Sequence, residues 1–346
     1  MTAVDAGSVF FGARAVPWMV LATAVAIGSL APAATAAAAP WPFLLALVAF
    51  GMPHGAADWS VAARLSDRRG FSARLGGFSS YLLMMAASLG LIAWQPGFAG
   101  LVFLLLTTFH FGMADATALD ADGDGPTARW GLALGRGLLL LATAFAMNPE
   151  AAWAPFARIG ESLSPMLGSV WQPEIPLLRR QALFGMAFGA VLALSSAFAR
   201  IRRGRGRIAA LDLAEHALVV AMALLADPLF AVGCYFLGVH AFRHSRRLAC
   251  TSILMKPSAG PIAHSLHEPS PLSRLLRVHR MSLPLMWPTA LCLAALCWFL
   301  GGFDVRTITV ASIAFYMITT LPHHLLGLRL PTPDMPPVGA TRTSRH

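Results

Sequence analysis

The chain has 346 residues, 57% of them hydrophobic and only 12% charged, with a formal net charge of +10. Soluble domains carry about 25% charge, so an ordinary soluble fold is excluded and an all-α, polytopic transmembrane helical bundle is expected. The positive excess is almost all arginine, Lys256 being the single lysine, and no basic soluble domain is available to make it a nucleic-acid surface.

In chain order, about ten apolar segments are expected to span a membrane: 15–34, 41–62, 76–94, 98–118, 129–147, 181–199, 208–226, 228–245, 282–300 and 305–326. Residues 1–40 form an N-terminal extra span, residues 41–328 the main bundle, and residues 329–346 a Pro-rich tail that reads as disordered. Residues 14–36 also look like a secretory signal, with Arg14 before an apolar run; cleavage there would leave nine spans. The stretch 150–175, rich in Pro, Trp and Glu, is too broken to span and reads as a loop with an interfacial helix.

Arginine sets the direction of these spans. Arg64, Arg68, Arg69 and Arg74 follow segment 2. Arg200, Arg202, Arg203, Arg205 and Arg207 follow segment 6. Arg246, Arg247, Lys256, Arg274, Arg277 and Arg280 follow segment 8, and Arg329, Arg342 and Arg345 follow segment 10. Only Arg158, Arg179, Arg180 and Arg306 occupy the opposite loops. Positive residues collect on the cytoplasmic side, so a multi-pass protein of the cell (inner) membrane with both termini cytoplasmic is expected. Cys234, Cys250, Cys292 and Cys297 show no metal-type pairing and are given no role.

Seven of the eleven histidines sit inside apolar segments, where ionisable groups are rare and usually functional: His54, His110, His216, His240, His244, His323 and His324. His264, His267 and His279 are assigned to a loop, and His346 to the tail. The expected span directions put the seven at similar depth, near the inner end. His240 and His244 are four apart and share one helix face. Two imidazoles so placed can hold one ion, and His54 and His110 could complete a four-nitrogen site for Zn, Cu, Fe or Ni. Asp58 follows His54 by four, Asp115 follows His110 by five, and Glu215 adjoins His216. These carboxylates suit the role of orienting metal-bound imidazoles. Arg243 could snorkel to headgroups or neutralise Asp58 or Asp115. Pro53 should open the helical ladder beside His54, and Gly55 permits close approach of a helix or ligand.

The stretches GMPHGAAD, HFGMAD, HAFRH and LPHH together resemble the Brp/Blh family of membrane-bound β-carotene 15,15'-dioxygenases, in motif order and hydropathy, over about residues 45–328. The resemblance implies an Fe(2+)-dependent enzyme of the carotenoid-cleaving non-haem type (EC 1.13.11), which splits the central double bond of β-carotene with O2 to give retinal. By motif it assigns His54, His110, His240 and His244 as iron ligands, with His323 matching a further family histidine. A functional link to a rhodopsin that uses the retinal follows. A C40 hydrocarbon dissolves in the bilayer, so access should be sideways between helices. Phe109, Phe111, Met113, Phe236, Phe242 and Met317 could line the tunnel.

Three other classes compete. A di-iron membrane hydroxylase needs about eight histidines in repeated HxxxH and HxxHH boxes, whereas here one HxxxH exists and LPHH stands isolated. A retinal-binding receptor needs a lysine within a span, and Lys256 lies in a loop. An ion- or proton-coupled transporter using the His/Asp cluster is the chief alternative, but it favours midplane groups in two related halves.

Overall fold

The computed structural model describes residues 3–66, 70–119, 126–168, 170–251 and 271–330. His264, His267, His346, Lys256 and the tail from 331 onward lie outside the described residues.

All ten expected segments fall on helices. Seven are single helices long and apolar enough to cross a membrane. α1 (Ala3–Leu30) adds a shorter apolar stretch, Arg14–Leu30. The short α2 (Pro32–Ala37) follows it. The second segment is broken into α3 (Pro40–Ala46), a π turn over Leu47–Gly51, α4 (Met52–Ala56) and α5 (Asp58–Leu65). Then come α6 (Phe71–Trp94), α7 (Pro96–Leu119) and α8 (Pro126–Met147). They are followed by α9 (Pro149–Leu167), α10 (Ile175–Arg202) and α11 (Gly206–Leu225). The eighth segment is again broken, into α12 (Pro228–Tyr235), a π turn over Phe236–Ala241 and α13 (Phe242–Cys250). α14 (Pro271–Phe299) and α15 (Val305–Leu328) complete the bundle.

Proline and short polar residues punctuate these starts. Pro32, Pro40, Pro96, Pro126, Pro149, Pro228 and Pro271 each open a helix, where a missing N–H costs nothing. Asp227 accepts from the Leu229 and Phe230 amides at 2.9 and 3.3 Å, and Asp304 caps α15 through the Arg306 and Thr307 amides at 2.9 and 3.2 Å.

The two broken segments meet, their π turns packing against one another. Pro53 explains the first break: its ring clashes one turn back, and a widened turn relieves the clash. Its missing N–H also deprives the Ala49 carbonyl, which instead accepts from His279 Nε2 at 2.9 Å. His279 therefore belongs to α14 and not to a loop. The second π turn has no proline, and it carries His240.

The stretch 150–175 differs from expectation. α9 is a full helix, and its stripe of Trp153, Phe156, Ile159 and Leu163 is buried in the main core. The spacing of those four apolar side chains faces one flank inward, so the helix caps the bundle through its packing on α7, α8 and α15. α7 and α8 approach closely at Gly112 and Gly137, where a Cβ would run into the Ala133 and Thr108 carbonyls.

Candidate functional site

Four broken or proline-bearing elements deliver a group of six histidines to one place. His54 comes from α4, His110 from α7, His240 from the second π turn, His244 from α13, and His323 and His324 from α15. All six are buried. Ring centroids stand 5.0 Å apart for His54–His244, 5.1 Å for His54–His323 and 4.7 Å for His110–His240. They are 5.1 Å apart for His110–His323, 5.2 Å for His244–His323 and 6.1 Å for both His54–His240 and His240–His244. His110 Nδ1 lies 3.1 Å from His324 Nδ1.

These spacings bear on whether the group suits an ion. A ring nitrogen about 2.1 Å from a metal puts its ring centroid about 3.2 Å away, and tetrahedral rings then sit about 5.2 Å apart. The observed values bracket that figure. Nδ1 of His240, Nδ1 of His244 and Nε2 of His323 are buried with no hydrogen-bond partner. An unpartnered polar atom away from water is costly, so three of them on neighbouring rings are open to a ligand. Among the described residues no group of three or more His, Cys, Asp or Glu side chains is placed to hold a metal ion as the side chains stand. Donor type, spacing and unpartnered nitrogens nonetheless fit a nitrogen-rich metal.

The carboxylates take other partners than their spacing suggested. Asp58 Oδ2 accepts from His323 Nδ1 at 2.7 Å and from the Tyr81 hydroxyl at 2.9 Å, not from His54. His54 Nδ1 donates to the Phe50 carbonyl at 2.7 Å. The reason is local: the His54 Nδ1–H is taken by its own helix one turn back, which leaves Asp58 to partners on other helices. Asp115 does not meet His110 either. Five residues on a helix rotate a side chain by about 140°, and Asp115 accepts from Tyr235 at 2.6 Å and Arg243 at 3.1 Å.

Glu215 does not serve His216. It is the hub of a buried charge cluster, receiving Arg243 at 2.8 and 2.9 Å, Arg136 at 2.7 Å, Trp18 at 2.9 Å and Arg14 at 3.1 Å. Asp212 joins through Arg14 at 2.6 Å, Arg136 at 3.2 Å and a close pair with Arg200. His216 hangs beside this cluster, its Nδ1 donating to the Asp212 carbonyl at 2.7 Å, and among the described residues it makes no ring contact with another histidine. Arg243 thus neutralises Asp115 and Glu215, and does not snorkel.

Among the proposed tunnel aromatics, Phe111 and Phe236 line a cavity of about 300 Å3 that ends on His54, His110, His240 and His323. Phe109 instead stacks on Trp130 at 4.7 Å, and Phe242 packs edge-on against Phe50 at 6.2 Å; neither lines that cavity. Its walls are mostly apolar, with Phe43, Phe103, Leu141, Phe145 and Phe156 prominent and a few hydroxyls such as Tyr81 and Thr107 among them. Gly55 opens onto it, since a Cβ there would meet no atom within 4 Å. A smaller, more polar cavity on the other flank is lined by His110, His244, His324, Arg129 and Arg247.

Sequence reasoning missed Tyr81, Tyr235, Arg14, Arg136 and Asp212. The signal for the last three was a lone charge inside an apolar run. Arg14 was instead weighed as the head of a possible leader; here α1 packs on α11 and α12 and is bolted by Arg14 and Trp18 to Glu215.

A sequence profile described as "Beta-carotene 15,15'-dioxygenase" matches residues 45–330. A "Beta-carotene 15,15'-dioxygenase" from an uncultured marine bacterium, 66A03, is 39% identical over 79 residues, 22% of this chain and 29% of that protein. A "Probable beta-carotene 15,15'-dioxygenase Blh" from Halobacterium salinarum is 28% identical over 313 residues, 85% of this chain and 84% of that protein. No solved structure matches. With the profile covering most of the chain, including every histidine of the buried group, this protein belongs to the β-carotene 15,15'-dioxygenase family.

Proposed function

We propose that this membrane protein cleaves the central 15,15' double bond of β-carotene or a close relative with O2, giving retinal. The observation that carries the reading is an apolar cavity, buried in a bundle of membrane-length helices, that ends on a group of imidazoles. Its family relatives are named for this reaction.

His54, His110, His240 and His244 would hold Fe(2+), with His323 a fifth candidate. Iron, when bound, supplies the dioxygen chemistry that no side chain in the cavity can provide. The chain's own residues do the rest. Phe111 and Phe236 flank His240, with ring centroids at 4.4 and 5.9 Å, and give a polyene flat surfaces beside the imidazoles. The apolar walls exclude water, which protects a reactive oxygen species from side reactions. Asp58 accepts a hydrogen bond from the His323 Nδ1–H, which fixes the tautomer that leaves the lone pair on Nε2. His240 sits within the second π turn, and His54 lies one turn after the first.

The arginine asymmetry supports a cell-membrane location with both termini cytoplasmic. A rhodopsin that takes up the retinal is the natural consumer of the product. The transporter reading is not favoured: the larger cavity at the histidines is mostly apolar, and the relatives are named for carotenoid cleavage. The test is expression in a bacterium that accumulates β-carotene. Pigment should fade as retinal appears; unchanged pigment in cells that hold the folded, iron-loaded protein would refute the proposal.

A further inference from the structure

The cavity wall includes one face each of α6 and α14. Tyr81, Leu82 and Met85 line it from α6, and Leu285, Pro288 and Cys292 from α14. Spacings of three and four residues mark one stripe per helix. Those stripes do not end inside. Leu82 is 43% exposed, and Pro288 and Cys292 are exposed as well. The same side chains therefore line the cavity and form its outer rim.

The surroundings of this rim are those of a membrane face. α6 and α14 are the two least buried of the seven membrane-length helices, with 17% and 11% of their apolar windows buried. Each packs on α15, yet among the described residues they have no extended contact with one another. Their outer faces carry Leu83, Trp287 and Leu291, all strongly exposed. Pro284 and Pro288 lie inside α14 and remove two backbone donors at the level of the rim, which loosens that helix locally.

We propose that the gap between α6 and α14 is a lateral portal through which a long unsaturated hydrocarbon slides from the bilayer to the histidine group. A C40 polyene stays in the lipid because exposing its apolar surface to water costs about 25 cal/mol per Å2. Its way in must then open on the lipid-facing wall, and this rim is where exposed side chains are also cavity walls. The inference rests on the carotenoid reading, and the test separates the two.

The protein is reconstituted in phosphatidylcholine vesicles with and without β-carotene. Alkylation of Cys292 by N-ethylmaleimide is followed by site-resolved mass spectrometry. β-Carotene should slow alkylation of Cys292 several-fold, and should leave a Cys introduced by Leu291→Cys, one residue away on the lipid face, unaffected. In parallel, Leu82→Trp and Cys292→Trp should lower the rate of retinal formation at limiting β-carotene at least tenfold with iron content unchanged, while Leu83→Trp matches wild type. Equal alkylation with and without β-carotene, together with full-rate rim variants in an active enzyme, would overturn the portal. Protection of Cys292 in a wild-type protein that forms no retinal would uphold the portal and overturn the activity.

Discussion

Asp58→Asn isolates one charge at the histidine group. In the native protein a single carboxylate oxygen, Asp58 Oδ2, accepts both the His323 Nδ1–H at 2.7 Å and the Tyr81 hydroxyl at 2.9 Å. An asparagine with its carbonyl oxygen in that place keeps both hydrogen bonds and the volume, and loses only the negative charge. Charge-assisted hydrogen bonds are roughly twice as strong as neutral ones, so the loss is about 1–2 kcal/mol across the pair. That range corresponds to about a 5- to 30-fold loss of iron affinity, overlapping the 10–100-fold typical of carboxylates that orient metal-bound histidines. The assay is iron retention during competition with a calibrated chelator, in detergent. The effect must run through His323: on a His323→Ala background, Asp58→Asn should cost nothing further. Undiminished affinity, or an equal loss with and without His323, would refute the reasoning.

His240→Ala removes a ring at the junction of cavity and histidine group, and should abolish both bound iron and retinal formation; a purified variant with full iron would count against the assignment. Glu215→Gln removes the carboxylate shared by Arg243, Arg136 and Arg14, leaving Asp115 and Asp212 to compensate three buried guanidiniums. It should destabilise the protein by about 3–5 kcal/mol, read as a marked fall in the unfolding midpoint in detergent, and an unchanged midpoint would show the cluster to be dispensable. Gly112→Ala drives a Cβ into the Ala133 carbonyl and should force α7 off α8, with a cost of about 1–3 kcal/mol and reduced iron content, since His110 lies two residues away. Gly90→Ala meets nothing within 4 Å and should be silent in the same assays.

Much of this protein was legible in the order of its residues. Apolar runs of membrane length define helices wherever they occur, because an unpaired backbone cannot survive in hydrocarbon, so the segments expected at 76–94, 98–118, 129–147 and 305–326 fall on α6, α7, α8 and α15 within a few residues. The histidines stood out for the same reason: a polar ring in such a run must have a partner. Tertiary structure decided which partner. Helical spacing places residues on one face but does not choose their partners: His54 Nδ1 is held by the Phe50 carbonyl one turn back, and a nearer ring on another helix claims the carboxylate. Asp58 therefore reached His323, 265 residues away, and not His54, four away. Asp115 and Glu215 went to arginines of other helices, and His324 joined the group while His216 stayed apart. Periodicity carries no information about rotation between helices. That rotation follows from packing, from close approaches such as Gly112 on Ala133 and from the buried ion pairs that tie α1, α8, α11 and α13 together.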